Sequence, residues 1–147
     1  QVFNTLFGAG MTNKLFMQIR EKMSLCYDIG SGYHGGKGIL TVSAGMDCNQ
    51  KDLVMEQILL QLQACCDGDI TDEELSSAKC ALVSQLLATH DSPGAIEGYY
   101  ATGALSGQRW DPDTYMARIK AVTMEDVVAA AKTVTLHSTY FLKGVQS

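Results

Sequence analysis

The chain has 147 residues, of which 46% are apolar and 18% charged, a length and balance that fit one domain around a single buried core and argue against disorder. A formal net charge of −5 and three arginines scattered along the sequence leave no basic run, which argues against a nucleic-acid or anionic-membrane partner. No apolar stretch approaches the ~20 residues of a membrane-spanning helix, and five cysteines without a C-x-x-C pair fit a reduced, cytoplasmic chain.

The opening residues, QVFNTLF, read as the middle of a structural element, so the chain is expected to begin inside a larger polypeptide. Val2, Phe3, Leu6 and Phe7 make a short apolar helical face that stops at Gly8-Ala9-Gly10, after which Thr12 or Asn13 caps a second helix. In that helix Leu15, Phe16, Ile19 and Met23 recur at helical spacing. After Leu25 the period changes: Tyr27, Ile29, Ser31 and Tyr33 alternate with Asp28, Gly30, Gly32 and His34, as in a strand. Gly35-Gly36-Lys37-Gly38 separates this strand from a second, in which Leu40, Val42, Ala44 and Met46 alternate with smaller residues, and the pair reads as an antiparallel hairpin.

Asn49 is the expected N-cap of the next helix, whose apolar face is Val54, Ile58, Leu62 and Cys65 and whose end falls before Asp67-Gly68-Asp69. Thr71-Asp72-Glu73-Glu74 has capping-box spacing and starts a helix that carries Leu75, Ala78, Leu82 and Leu86 to about His90. Ser92-Pro93 and Asp111-Pro112 each start a further helix, as does Thr123-Met124-Glu125-Asp126. The run LHSTYFLKG is rich in β-formers and is expected to return to the sheet. The order is that of an α+β fold with helices packed on a mostly antiparallel sheet, residues 1–147 forming a single, partial domain.

Chemistry is sparse along this chain. His34, His90 and His137 lie far apart and the cysteines have no finger-like spacing, so no metal site is predicted. Cys65 and Cys66 read as small apolar packing residues, and the acids from Asp69 to Glu74 suit the positive end of a helix dipole. Tyr99, Tyr100 and Trp110 fit either an aromatic binding face or ordinary helix packing. Arg20 and Tyr27, at the helix-to-strand corner, also have two readings. Arg20 can pair with an acid and Tyr27 can be a half-buried strand aromatic; alternatively a guanidinium and a phenol facing one place can donate hydrogen bonds to peptide carbonyls and stabilise an oxyanion.

The segment LFGAGMTNKLFMQIREKMSLCY resembles the pitrilysin (insulinase-like, inverzincin) family of zinc metallopeptidases and their peptidase-like partners. It has the family's glycine-containing turn, a Ser/Thr/Asn-x-Lys/Arg-Leu-Phe helix start, Arg-Glu-Lys, and a Tyr seven positions after the Arg. The similarity continues through GKGILTVSAGMDCNQKD and GDITDEELSSAK. In that family this signature marks the C-terminal, non-zinc-binding half of a paired unit, while the other half carries H-x-x-E-H on a helix and a further glutamate downstream. The resemblance implies a chain that has no catalytic residue or metal of its own and is inactive alone, with zinc supplied by a homologous domain or subunit. It assigns substrate binding to Arg20 and Tyr27, which hold peptide carbonyls near the scissile bond. Ser24 and Cys26 depart from the residues commonest there in the family and look like a bacterial subgroup that lacks the zinc motif and works beside a catalytic partner. A scaffold of the same fold with no substrate role is the alternative.

Overall fold

Residues 1–108 and 110–144 are described in a computed structural model. The first helix, α1 (Val2–Asn4), runs on without a break as π-helical turns over Thr5–Ala9. Every residue from Val2 to Gly8 is buried, so this is a helix enclosed on all sides rather than one with a single apolar face. Phe3 and Phe7 stack with ring centroids 5.4 Å apart. Of its buried polar residues, Asn4 is satisfied by the hairpin, its Oδ1 accepting from the Ser31 hydroxyl at 2.8 Å.

A second π-helix spans Phe16–Lys22 and begins as expected at Asn13, whose carboxamide oxygen accepts from the Phe16 N–H at 2.7 Å. Leu15 and Ile19 are fully buried, but Met23 is exposed. The wide turns of a π-helix rotate each residue by less than an α-helix does, so the i, i+4 stripe drifts off the core face before Met23.

The hairpin is β1 (Asp28–His34) and β2 (Ile39–Gly45), antiparallel, with Ile29 opposite Ala44, Ser31 opposite Val42 and Tyr33 opposite Leu40. Its inner face rests on α1 and the first π-helical turns. Gly8 makes that approach possible: a Cβ there would stand 2.5 Å from Ser31 Oγ.

The helices follow as α2 (Lys51–Asp67), α3 (Asp72–Thr89), α4 (Pro93–Ser106), α5 (Pro112–Ala121) and α6 (Met124–Lys132). The start of α2 differs from expectation. Asn49 lies inside a 3-10 turn, Cys48–Gln50, and the extended residue ahead of that turn is Asp47. Most other end signals act as predicted: Gly68 closes α2 in the left-handed conformation, and reciprocal capping boxes Thr71/Glu74 and Thr123/Asp126 open α3 and α6, whereas Ser92 precedes α4 without a side-chain cap bond. Helix α2 packs on α6 and α3 on α5, and α1 touches both α3 and α6. The core therefore runs from Ile29 through Phe7, Val54 and Leu75 to Val127 and Ala131.

Among the described residues the sheet has only these two strands. The run from Leu136 to Gly144 forms no strand, contrary to the sequence reading, and Leu136, Tyr140 and Leu142 are exposed. A strand needs a ladder partner for its N–H and C=O groups, and β1 and β2 pair only with each other. No described helix is long and apolar enough to cross a membrane.

Candidate functional site

The corner between the second π-helix and β1 is pinned from both sides. Leu15 and Ile19 seat the helix in the core, and Cys26 and Ile29 seat the strand. Arg20 directly follows Ile19 and Tyr27 directly follows Cys26, so each flanks a buried anchor of the corner. The helix closes with the Ser24 N–H donating to the Arg20 carbonyl and the Leu25 N–H to the Ile19 carbonyl, each at 3.0 Å. This is a Schellman-like ending widened by one residue to match π-helical turns, and it places Ser24 in the left-handed region at φ 51°.

Arg20 is half-buried, its guanidinium carbon 4.7 Å from the Phe16 ring centroid. Among the described residues its guanidinium makes no hydrogen bond or ion pair, so the acid partner allowed by the sequence does not appear. Its positive charge reaches Cys26: burial pushes the Cys26 thiol up, and Arg20 partly opposes that rise.

Tyr27 is 65% exposed and not the half-buried strand aromatic that was one reading of it. Its N–H donates to the Gly45 carbonyl at 2.7 Å, which extends the hairpin ladder, and its phenol donates to the carboxylate of Asp47. That hydrogen bond to a carboxylate holds the phenol above its ordinary titration range, reinforced by desolvation and by the negative charge itself. Arg20 and Tyr27 share the corner without bonding to each other.

Asp47 is the residue that sequence reasoning missed. The hairpin register carries no direct signal for it: with Asp28 opposite Gly45, the register continues as Tyr27 opposite Met46 and Cys26 opposite Asp47, so Asp47 meets the Tyr27 phenol only diagonally across the strands.

The remaining candidates resolve as packing or remain scattered. The Tyr99 hydroxyl donates to the Trp110 carbonyl at 2.9 Å, Trp110 stacks on Tyr115, and the Arg118 guanidinium carbon lies 3.7 Å from the Trp110 ring centroid, which ties α4 to α5. All five cysteines are free, and burial pushes the fully enclosed Cys65 up to about 12, the behaviour of a packing residue rather than a nucleophile. His34 ends β1, His90 follows α3 and His137 lies beyond α6; among the described residues no group of three or more His, Cys, Asp or Glu can hold a metal ion. Among the described residues, then, no donor set of a zinc site is assembled.

The architecture is that of a peptidase-like α+β domain. It matches the structure of a conserved protein from Enterococcus faecalis V583 with a TM-score of 0.83 and 32% identity, over 89% of this chain and 31% of that one. A protease from Helicobacter pylori shares the fold, with a TM-score of 0.78 at 17% identity, over 90% of this chain and 33% of that one. Residues 1–82 match the family model for the Peptidase M16 inactive domain, and the chain belongs to this family, the pitrilysin-type peptidases. Among relatives, the probable inactive metalloprotease YmfF of Bacillus subtilis (strain 168) is 33% identical over 99% of this chain and 34% of its own length. The uncharacterized zinc protease SCO5738 of Streptomyces coelicolor is 31% identical over 90% of this chain and 30% of its own. The chain thus spans about a third of the length of these relatives.

Proposed function

We propose that this chain is the non-catalytic half of a pitrilysin-type zinc peptidase, which binds peptide substrate and assists hydrolysis at a zinc site supplied by a homologous domain or subunit. The observation that carries this reading is the Arg20 guanidinium. It lies over the Phe16 ring at the helix-to-strand corner, with no hydrogen bond or ion pair among the described residues, and the exposed Tyr27 stands on the strand side of the same corner. A guanidinium placed there has its N–H donors available for the carbonyl oxygens of an extended peptide, and their hold strengthens as negative charge develops on one of those oxygens. Tyr27 contributes less, because its single phenolic proton already serves Asp47 and a substrate oxygen gains only the difference between two acceptors. The chain alone hydrolyses nothing, and it works in the cytoplasm as part of a bacterial peptidase assembly.

The test is steady-state kinetics of the full-length protein in its assembly. Arg20→Ala is expected to lower kcat/KM on the order of 10²-fold, the effect of losing one oxyanion donor, and Tyr27→Phe roughly 10-fold. Unchanged kinetics in both variants defeats the proposal, as does stoichiometric zinc with peptide turnover in this chain by itself.

The satisfied Tyr27 hydroxyl also favours a second reading, a scaffold that keeps the fold and handles no substrate. Affinity capture from cell extract separates the two. A co-purifying zinc-bearing partner with peptide cleavage supports the first, and a stable complex without cleavage supports the scaffold.

A further inference from the structure

Asp47 stands in an unusual position for a carboxylate. It is the N-cap residue of the 3-10 turn that leads into α2, with the extended backbone of a capping residue (φ −66°, ψ 143°), yet its side chain caps nothing. A carboxylate at that point ordinarily satisfies the free N–H groups of the turn. Here its oxygen is turned across the hairpin to accept the Tyr27 phenol, and the turn is left with the Asp47 backbone carbonyl accepting from the Gln50 N–H at 2.9 Å.

The phenol has few other means of holding its direction. Tyr27 is 65% exposed, and an unpacked tyrosine ring samples several rotamers. Its backbone is fixed by the Gly45 hydrogen bond, which leaves the side-chain torsions to be set by the hydroxyl's partner.

From this arrangement we infer that Asp47 is a positioning residue for Tyr27: its carboxylate holds the phenol at the helix-to-strand corner and releases it to a substrate oxygen that has acquired negative charge. The inference rests on the proposed peptide-hydrolysis role of the corner and deepens it. A neutral peptide carbonyl is a weaker acceptor than a carboxylate and does not displace Asp47. A developing oxyanion is comparable to a carboxylate and does. The donation from Tyr27 is therefore made mainly in the transition state, where a hydrogen bond accelerates the reaction rather than merely tightening substrate binding.

The experiment combines a direct readout with a double-mutant cycle on the full-length protein. Difference titration of tyrosinate absorbance, wild type against Tyr27→Phe, isolates the phenol; Tyr27 is expected to ionise above the ordinary tyrosine range, and Asp47→Ala to return it there. In the peptidase assembly, Asp47→Ala is expected to lower kcat/KM roughly 10-fold, as Tyr27→Phe does, and the double variant to be no slower than either single one. Asp47→Asn keeps an acceptor oxygen in place and is expected to retain kcat/KM within about threefold. A Tyr27 titration unmoved by Asp47→Ala overturns the inference, and so does Asp47→Ala with wild-type kinetics where Tyr27→Phe is slow. Additive losses in the double variant overturn it as well, because Asp47 would then act independently of Tyr27. If Arg20→Ala and Tyr27→Phe both leave hydrolysis unchanged while Asp47→Ala still shifts the titration, it is the proposed function that fails, and the positioning role falls with it.

Discussion

Ser24 carries the geometry of the corner in a single backbone conformation. Its φ of 51° is the left-handed region, which costs an L-residue about 1–2 kcal/mol, and it is the only non-glycine with positive φ among the described residues. The conformation persists because burial of Ile19 and Cys26 on either side leaves the chain no other path between helix and strand. Glycine at this position relieves the strain and adds roughly 0.5–1 kcal/mol of unfolded-state entropy, so Ser24→Gly is expected to stabilise the domain by about 0.5 kcal/mol net. A urea midpoint equal to or below that of wild type would show that the turn hydrogen bonds already offset the strain. The resemblance to a family in which glycine is commonest there was readable from sequence. Asp47 was not singled out, because an acid just after a strand reads as a helix cap, and only its side-chain conformation in the folded chain turns it to the Tyr27 phenol.

At the scale of elements, the short-range signals were legible and the long-range ones were not. Thr71, Asp111 and Thr123 cap the helices they precede, because a cap is settled within three residues of chain. The helical character of Val2–Ala9 was also readable, but the complete burial of Val2 to Gly8 depends on β1, α3 and α6 closing over it. Gly8 is where the hairpin closes on this helix. An added Cβ would meet Ser31 Oγ at 2.5 Å and the Ser31 backbone nitrogen at 2.9 Å, and the second contact cannot be relieved by a rotamer change. Gly8→Ala is expected to cost about 2 kcal/mol and to loosen the hairpin that carries Tyr27, measured as a lower urea midpoint with faster amide exchange in β1. A midpoint like that of wild type would mean that helix and hairpin slide apart without loss. The missing C-terminal strand has the complementary cause: LHSTYFLKG has strand-forming side chains, but the described residues offer no free partner that it uses.

At the scale of the whole molecule, an ion pair joins the helix start beside the corner to the helical layer. Lys14, just ahead of the second π-helix, lies 3.0 Å from Glu74, and its side chain is only 7% exposed. Glu74 also completes the Thr71 capping box, accepting from the Thr71 N–H at 2.8 Å. Glu74→Ala therefore removes a cap and strands a buried ammonium, with an expected cost of about 3–5 kcal/mol, whereas Asp126→Ala removes only the equivalent cap on α6 and is expected to cost about 1 kcal/mol. Equal losses in the two variants, measured by chemical denaturation, would mean that Lys14 finds water or another partner. By itself the sequence determined the α+β order, the helix ends, the hairpin and the family signature that draws attention to Arg20 and Tyr27, because periodicity, caps and turns are set by residues a few positions apart. Only the tertiary structure decided that α1 lies at the centre of the core, that Lys14 meets Glu74, that Arg20 lies over Phe16 without an acid partner among the described residues and that Asp47 accepts the hydrogen bond of the Tyr27 phenol. Each of these depends on packing or on pairing between segments, and local sequence pattern does not specify which distant side chains that packing brings together.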